Sequence, residues 1–144
     1  MLLIAQVLRD KGAAVHTLPA EATLEHAAKE LTSRKVGALV VLDGKGDIVG
    51  VLSERDVVRE VASRGISALS DRVASVMSKG VVTAGLGETV DDGLSRMTDR
   101  RIRHLPVVEQ GRLVGIVSIG DLVKHRIAAV EAEAAAMQAY IAAQ

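Results

Sequence analysis

Two seven-residue stretches share one chemical skeleton: Gly50-Val51-Leu52-Ser53-Glu54-Arg55-Asp56 and Gly115-Ile116-Val117-Ser118-Ile119-Gly120-Asp121. Each reads glycine, two apolar residues, serine, two variable residues, aspartate. A β-rich run precedes each serine and an amphipathic run follows it, so both polar side chains fall where a strand gives way to a helix. Two chemistries fit that position. Serine with an acid three residues on is close to a helix-start capping box, and the acid favours the helix dipole. The box ordinarily uses Glu or Gln, whose longer side chain reaches back to the cap amide, so Asp in both copies is expected to suit that task less well. The other chemistry is recognition. A helix start offers free backbone amides to a phosphate, and a carboxylate can accept from the two hydroxyls of a ribose. The spacing leaves both open, and they are compatible if the serine starts the helix while the aspartate faces a ligand.

Other chemistries find less support. The 144 residues include no cysteine, which removes disulfides, thiolate metal sites and cysteine nucleophiles. His16, His26, His104 and His125 lack metal-ligand spacing, so no metal is expected. There is no nucleophile elbow and no phosphate-cradling glycine loop, and no general base stands beside either repeated aspartate. No catalytic residue and no enzymatic activity are expected. Lys+Arg and Asp+Glu both number 18, so no net field draws the chain to nucleic acid or anionic membrane. Tyr140 is the only aromatic residue, which leaves no platform for stacking bases. No segment approaches the roughly 18 apolar residues of a membrane span. The N-terminal MLLIAQVLRDKG has no basic region ahead of its apolar run and no cleavage site after it. Ile4, Val7 and Leu8 instead mark a helix ending at Gly12, and a soluble, cytoplasmic protein is expected.

The motif recurs because the chain does. Residues 15–44 match 81–110 at an offset of 66, and 46–59 match 111–124 at an offset of 65, with the slip in a turn. Each copy predicts a short extended entry, ending at Thr17 or Thr83, and a helix capped by Thr23 or Thr89. Two β-rich runs follow (38–43 and 48–52; 105–109 and 113–117), joined by hairpin-like turns, and then a second helix. The expected class is α/β (α+β): two pseudo-symmetric units, each a small sheet packed on two helices, plus a long C-terminal helix. The expected division is 1–62 (N-terminal helix and first unit), 63–80 (connector with a helical turn at 71–77), 81–128 (second unit) and 129–144 (helical extension). In the last helix Val123, Ile127, Val130, Ala134, Met137 and Ile141 repeat every four and three residues, a heptad-like stripe that fits either self-packing or a dimer contact.

The runs VGALVVLDGKGDIVGVLSERDVV (36–58) and IRHLPVVEQGRLVGIVSIGDLV (102–123) resemble cystathionine-β-synthase (CBS) domains, and the whole chain resembles a small stand-alone bacterial tandem CBS pair, or Bateman module. The resemblance implies adenine nucleotide binding (AMP, ADP, ATP or a NAD-type dinucleotide) in the cleft between paired units. It places Asp56 and Asp121 on ribose hydroxyls and Ser53 and Ser118 near phosphate. It assigns the adenine to the entry segments at Thr17 and Thr83 and to the starts of the next strands. Those starts are Ala38 in the first copy, and Arg103, His104 and Pro106 in the second. The first copy has Gly37-Ala38-Leu39-Val40 where the second has Arg103-His104-Leu105-Pro106, so it lacks the family's proline. Arg55, opposite Gly120 in the second motif, is either a phosphate contact or a solvated first-turn residue. Arg34, Lys35, Arg100, Arg101 and Arg103 cluster just before the strands, at helix ends or as further phosphate attraction. The implied function is a regulatory nucleotide sensor needing no cofactor, a homodimer of disc-like form that signals to an unidentified protein partner. The alternative is a ligand-independent assembly protein with vestigial clefts.

Overall fold

The computed structural model describes all residues, 1–144. The chain forms two compact units, one of residues 15–82 and the other of residues 1–14 with 83–144.

In the unit of residues 15–82, strand β1 (Thr17–Pro19) leads to helix α2 (Leu24–Arg34), which follows helix α1 (Ile4–Lys11) of the other unit in chain order. Thr23 caps α2, its hydroxyl accepting from the His26 amide at 3.2 Å. Strands β2 (Ala38–Leu42) and β3 (Ile48–Ser53) form an antiparallel hairpin, and β1 adds parallel to β2, giving the order β1-β2-β3. Helix α3 (Glu54–Arg64) leaves directly from the end of β3. Leu18, Leu24, Ala27, Leu31, Leu39, Val41, Leu52, Val57 and Val73 make one buried cluster, the apolar face that the sheet and both helices share.

The connector belongs to this unit. It continues as two short 3₁₀ turns, Gly65–Ser70 and Val73–Ser75, around extended Asp71 and Arg72, in place of the single helical turn expected at 71–77. Val73 and Ala74 donate to the carbonyls of Ala22 and Ala20 at 2.7 and 3.0 Å. Ser78 and Val51 exchange two backbone bonds, so the connector ends as a patch on the open edge of β3.

The other unit holds helix α4 (Val90–Arg100), strands β4 (His104–Glu109) and β5 (Arg112–Ser118), helix α5 (Ile119–Ala142), and α1. The division expected at residue 62 kept the N-terminal helix with the first copy. Here α1 packs with the second copy. The Ile4 and Ala5 amides donate to the Glu88 and Leu86 carbonyls, and Ile4 and Val7 are fully buried. The β4–β5 hairpin turns through Gln110 and Gly111, both at positive φ, as a two-residue type I′ turn requires.

The second copy also has one strand fewer. Its expected entry at 81–83 forms no strand, and a single parallel bridge joins Ala84 to Val107. The reason lies in Pro106. In the first copy Val40 donates its amide to the His16 carbonyl, whereas the matching Pro106 has no N–H to give. Ala84, which matches Leu18 of the first copy, keeps its bridge: it donates to the Pro106 carbonyl and accepts from the Val108 amide, both at 2.9 Å.

Candidate ligand-binding sites at the two motifs

Each motif is built by the hairpin before it. In the first copy the register places Ala38 opposite Ser53; in the second it places His104 opposite Ser118 and Pro106 opposite Ile116. Ser53 and Ser118 both adopt the extended backbone of an N-cap, at φ −107° and −99°. Ser53 Oγ accepts from the Asp56 amide at 3.3 Å, and Asp56 Oδ2 accepts from the Ser53 amide at 2.9 Å. The second copy repeats this with Ser118 and Asp121 at 3.1 and 2.8 Å. A complete capping box therefore forms in both copies, and the expectation that Asp is too short for it is corrected. The cap serine presents its amide close enough for the shorter acid to reach.

The free helix-start amides expected there are largely taken as well. Glu54 donates to the Gly37 carbonyl at 3.0 Å and Ile119 to the Arg103 carbonyl at 2.8 Å, while the Asp56 and Asp121 amides serve their serines. Beyond its cap, each motif holds its aspartate carboxylate against a cation. Asp56 is 7% exposed, and its Oδ1 accepts from Arg59 Nη2 at 2.9 Å, one helical turn on. Asp121 is more open, and its Oδ2 accepts from both Ser118 and Lys11 Nζ, the latter at 2.6 Å. Burial pushes the Asp121 carboxyl up, but the Lys11 ammonium and the Ser118 amide and hydroxyl together outweigh it and hold it below the ordinary aspartate value.

The motif glycines have a packing role. A Cβ on Gly115 would lie 2.7 Å from both methyls of Leu8 in α1, and a Cβ on Gly50 would lie 2.7 Å from Met77 Cγ and 3.0 Å from the Ser78 carbonyl oxygen. Each motif strand is thus covered at its glycine by a segment from elsewhere in its own unit, and that close approach brings Lys11 to Asp121.

The remaining residues fall as follows. Thr17 is exposed on β1 and registers with Val40, on the strand that carries Ala38. Thr83 is exposed just before the Ala84 bridge, and its carbonyl accepts from Arg96 Nη1 at 2.8 Å. Arg55 and Arg103 are exposed, His104 is half-buried, and Ala38 and Pro106 are buried. The hairpin registers and caps join Ala38, Ser53 and Asp56 in one copy, and Arg103, His104, Ser118 and Asp121 in the other. Lys11, Arg59 and Arg96 were not among the expected site residues. For Arg59 the signal was present, as a cation three residues after Asp56 on one helix face. For Lys11, whose partner stands 110 residues away, no local signal exists. No group of three or more histidines and carboxylates is placed to hold a metal ion.

The family model of the CBS domain matches residues 10–63 and again 73–128. The chain belongs to the CBS-domain family. A CBS-domain-containing protein from Agrobacterium tumefaciens has the same fold, at 41% identity and a TM-score of 0.83 over 86% of this chain and 92% of that one. A CBS domain protein from Pyrobaculum aerophilum, solved as a complex with AMP, is 30% identical with a TM-score of 0.75, covering 83% of this chain and 89% of its own. The CBS domain pair of protein MJ0100, in complex with 5′-methylthioadenosine and S-adenosyl-L-methionine, is 26% identical with a TM-score of 0.75, covering 85% and 97%. The chain spans 66% of the length of an Acidianus ambivalens relative and 23% of an Arabidopsis thaliana one. No helix of the chain is long and apolar enough to cross a membrane.

Proposed function

We propose that this protein is a regulatory module that binds adenosine-bearing ligands (AMP, ADP, ATP or a NAD-type dinucleotide) at its two CBS motifs. The observation that carries the reading is the Ser–Asp pair at the strand-to-helix junction, built alike in both copies. Related CBS proteins hold AMP, or 5′-methylthioadenosine and S-adenosyl-L-methionine, and these ligands share the adenosine group with its ribose or modified ribose. In this reading Asp56 and Asp121 accept from ribose hydroxyls, and Ser53 and Ser118 lie toward the phosphate or its substitute. Thr17, Ala38, Thr83, Arg103, His104 and Pro106 line the base, and Arg55 supplies positive charge to a phosphate in the first copy. The carboxylates make the two sites unequal. A ligand at Asp56 competes with exposed Arg59, and one at Asp121 with Lys11. The output is a change in conformation or assembly of a cytoplasmic homodimer, without catalysis, and it requires the ligand to prefer one state over another.

Calorimetry with a panel of adenine nucleotides tests this on the wild type and on Asp56→Asn with Asp121→Asn, which keeps a capping acceptor while removing the charge. Saturable binding that the double variant loses supports the reading. A wild type that ignores every adenosine ligand, or a double variant that binds as well, refutes it and leaves the ligand-independent assembly role.

A further inference from the structure

Helix α1 is fastened differently at its two ends. At its start the Ile4 and Ala5 amides donate to the Glu88 and Leu86 carbonyls, the Val90 amide donates to the Leu2 carbonyl, and Ile4, Val7 and Leu8 are buried. From Arg9 to Ala14 every residue is exposed, and two side chains hold this end to the rest of the unit. Asp10 Oδ2 lies 3.3 Å from His125 Nε2, and the Lys11 ammonium donates to the Ile116 carbonyl and to Asp121. Lys11 thus sits on the carboxylate assigned above to the ribose.

The first copy is built otherwise. Val51 matches Ile116, and it exchanges backbone bonds with Ser78 at 3.0 and 3.1 Å, a tie that no side-chain rotation can undo. Asp56 pairs with Arg59 of its own helix. A ligand that takes Asp56 therefore displaces one exposed side chain and unfastens no other element. At Asp121 the case differs. Oδ2 has two lone pairs, and the Ser118 amide and Lys11 use both. A ribose diol that engages both carboxylate oxygens needs the place that Lys11 holds, since the amide is fixed by the cap. The flexible stem of a lysine lets it leave without moving the strand.

We propose that Lys11 is a latch on the second motif: it exchanges with ligand hydroxyls for Asp121, so that a ligand taking this carboxylate frees the C-terminal end of α1. The inference rests on the adenosine reading of the Ser–Asp pairs and adds a regulation to one of them. Lys11 lowers the affinity of the second motif, and occupancy of that motif alone is reported by α1.

The test is calorimetry with adenosine on the full chain carrying Asp56→Asn, which leaves the second motif as the site, with and without Lys11→Met. Adenosine brings the ribose hydroxyls and no phosphate for the ammonium to attract. Lys11→Met is expected to bind it about fivefold tighter, the scale of one charge-assisted hydrogen bond in a partly buried setting. A lysine that only supports the fold would leave the affinity unchanged or weaken it. Amide exchange gives the second readout. Adenosine should speed exchange at Gly12, whose amide closes α1 on the Leu8 carbonyl at 2.8 Å, while Lys11 is present, and should leave Gly12 unchanged in Lys11→Met. The Ile4 amide should not respond in either protein. Equal or weaker binding in Lys11→Met, or a Gly12 amide indifferent to adenosine, overturns the latch. AMP binding to the wild type then separates the two failures: where it persists, the adenosine reading stands without the latch, and where neither AMP nor adenosine binds any of these proteins, both fall.

Discussion

Lys11 Nζ lies 2.6 Å from Oδ2 of Asp121 and 2.8 Å from the carbonyl oxygen of Ile116, tying the N-terminal helix to the second CBS motif. Both side chains are more than two-thirds buried, at 31% and 26% exposure, so solvent screens the pair only in part. Lys11→Met keeps the aliphatic stem and removes the ammonium. It should cost about 1 kcal/mol at neutral pH, by the scale of a charge-assisted hydrogen bond in a partly buried setting. The pH dependence has a definite sign. The folded Asp121 carboxyl lies below its ordinary value of 3.8, so its stabilisation is present above that value and is lost as pH falls through the lowered one. Urea unfolding at a series of pH values should show wild type and Lys11→Met converging in strong acid. A gap that persists there would mean the lysine acts through packing alone.

Gly50 and Gly115 should tolerate alanine unequally. At Gly115 the added methyl meets the end of the Leu8 side chain, which can move. At Gly50 it meets Met77 and also the Ser78 carbonyl oxygen at 3.0 Å, and Ser78 is fixed by two backbone bonds to Val51. Overpacking of this kind costs about 1–3 kcal/mol, with Gly50→Ala toward the upper end and Gly115→Ala toward the lower. A double-mutant cycle of Gly115→Ala with Leu8→Ala should show a favourable coupling, since the shortened side chain relieves the clash. Equal losses at the two glycines would contradict the packing described.

These contacts also mark the limit of what the sequence discloses. Both hairpins, the four flanking helices and the Ser–Asp pairs were legible because each is written in local periodicity and repeated once. The copy on which α1 packs was not legible. Ile4, Val7 and Leu8 announce an apolar face but say nothing of the surface that will cover it. The lost entry strand of the second copy was within reach, because Pro106 removes one donor. Its partner residue, however, lies on a segment whose pairing only the fold reveals. The capping by Asp56 and Asp121 was misjudged because side-chain length was weighed without the cap geometry that brings the amide near.

Lys35 and Arg101 end α2 and α4 in the left-handed conformation, at φ 56° in both. A side chain there crowds the following carbonyl, and helices usually place glycine at such a position. Lys35→Gly and Arg101→Gly should each stabilise by about 0.5–1 kcal/mol, part of the relief being offset by the greater freedom of glycine when unfolded. Thermal unfolding reads this as a rise of about 1–4 °C per substitution. A fall at either site would show that its side chain contributes contacts worth more than the strain.

Glu88 and Arg96 clamp the entry of the second copy. Glu88 Oε1 accepts from the Gly85 amide at 2.8 Å, and Oε2 pairs with Arg96, whose Nη1 donates to the Thr83 carbonyl. The first copy has Ala22 and Glu30 at the matching positions, and holds its entry by the β1–β2 pairing instead. The Arg96 hydrogen bond, opposed by some burial and aided by the Gly85 amide, puts the Glu88 carboxyl below its ordinary 4.5. Its stabilisation is therefore complete above that value and disappears as pH drops through the lowered one. On acidification the Gly85 amide resonance should shift with an apparent pKa below 4.5, and Glu88→Gln should abolish that titration while preserving the acceptor. The Leu18 amide, on β1 of the first copy, should not follow it. Should Gly85 titrate unchanged in Glu88→Gln, the clamp is not what holds Thr83, and the two copies do not secure their entry segments by different means.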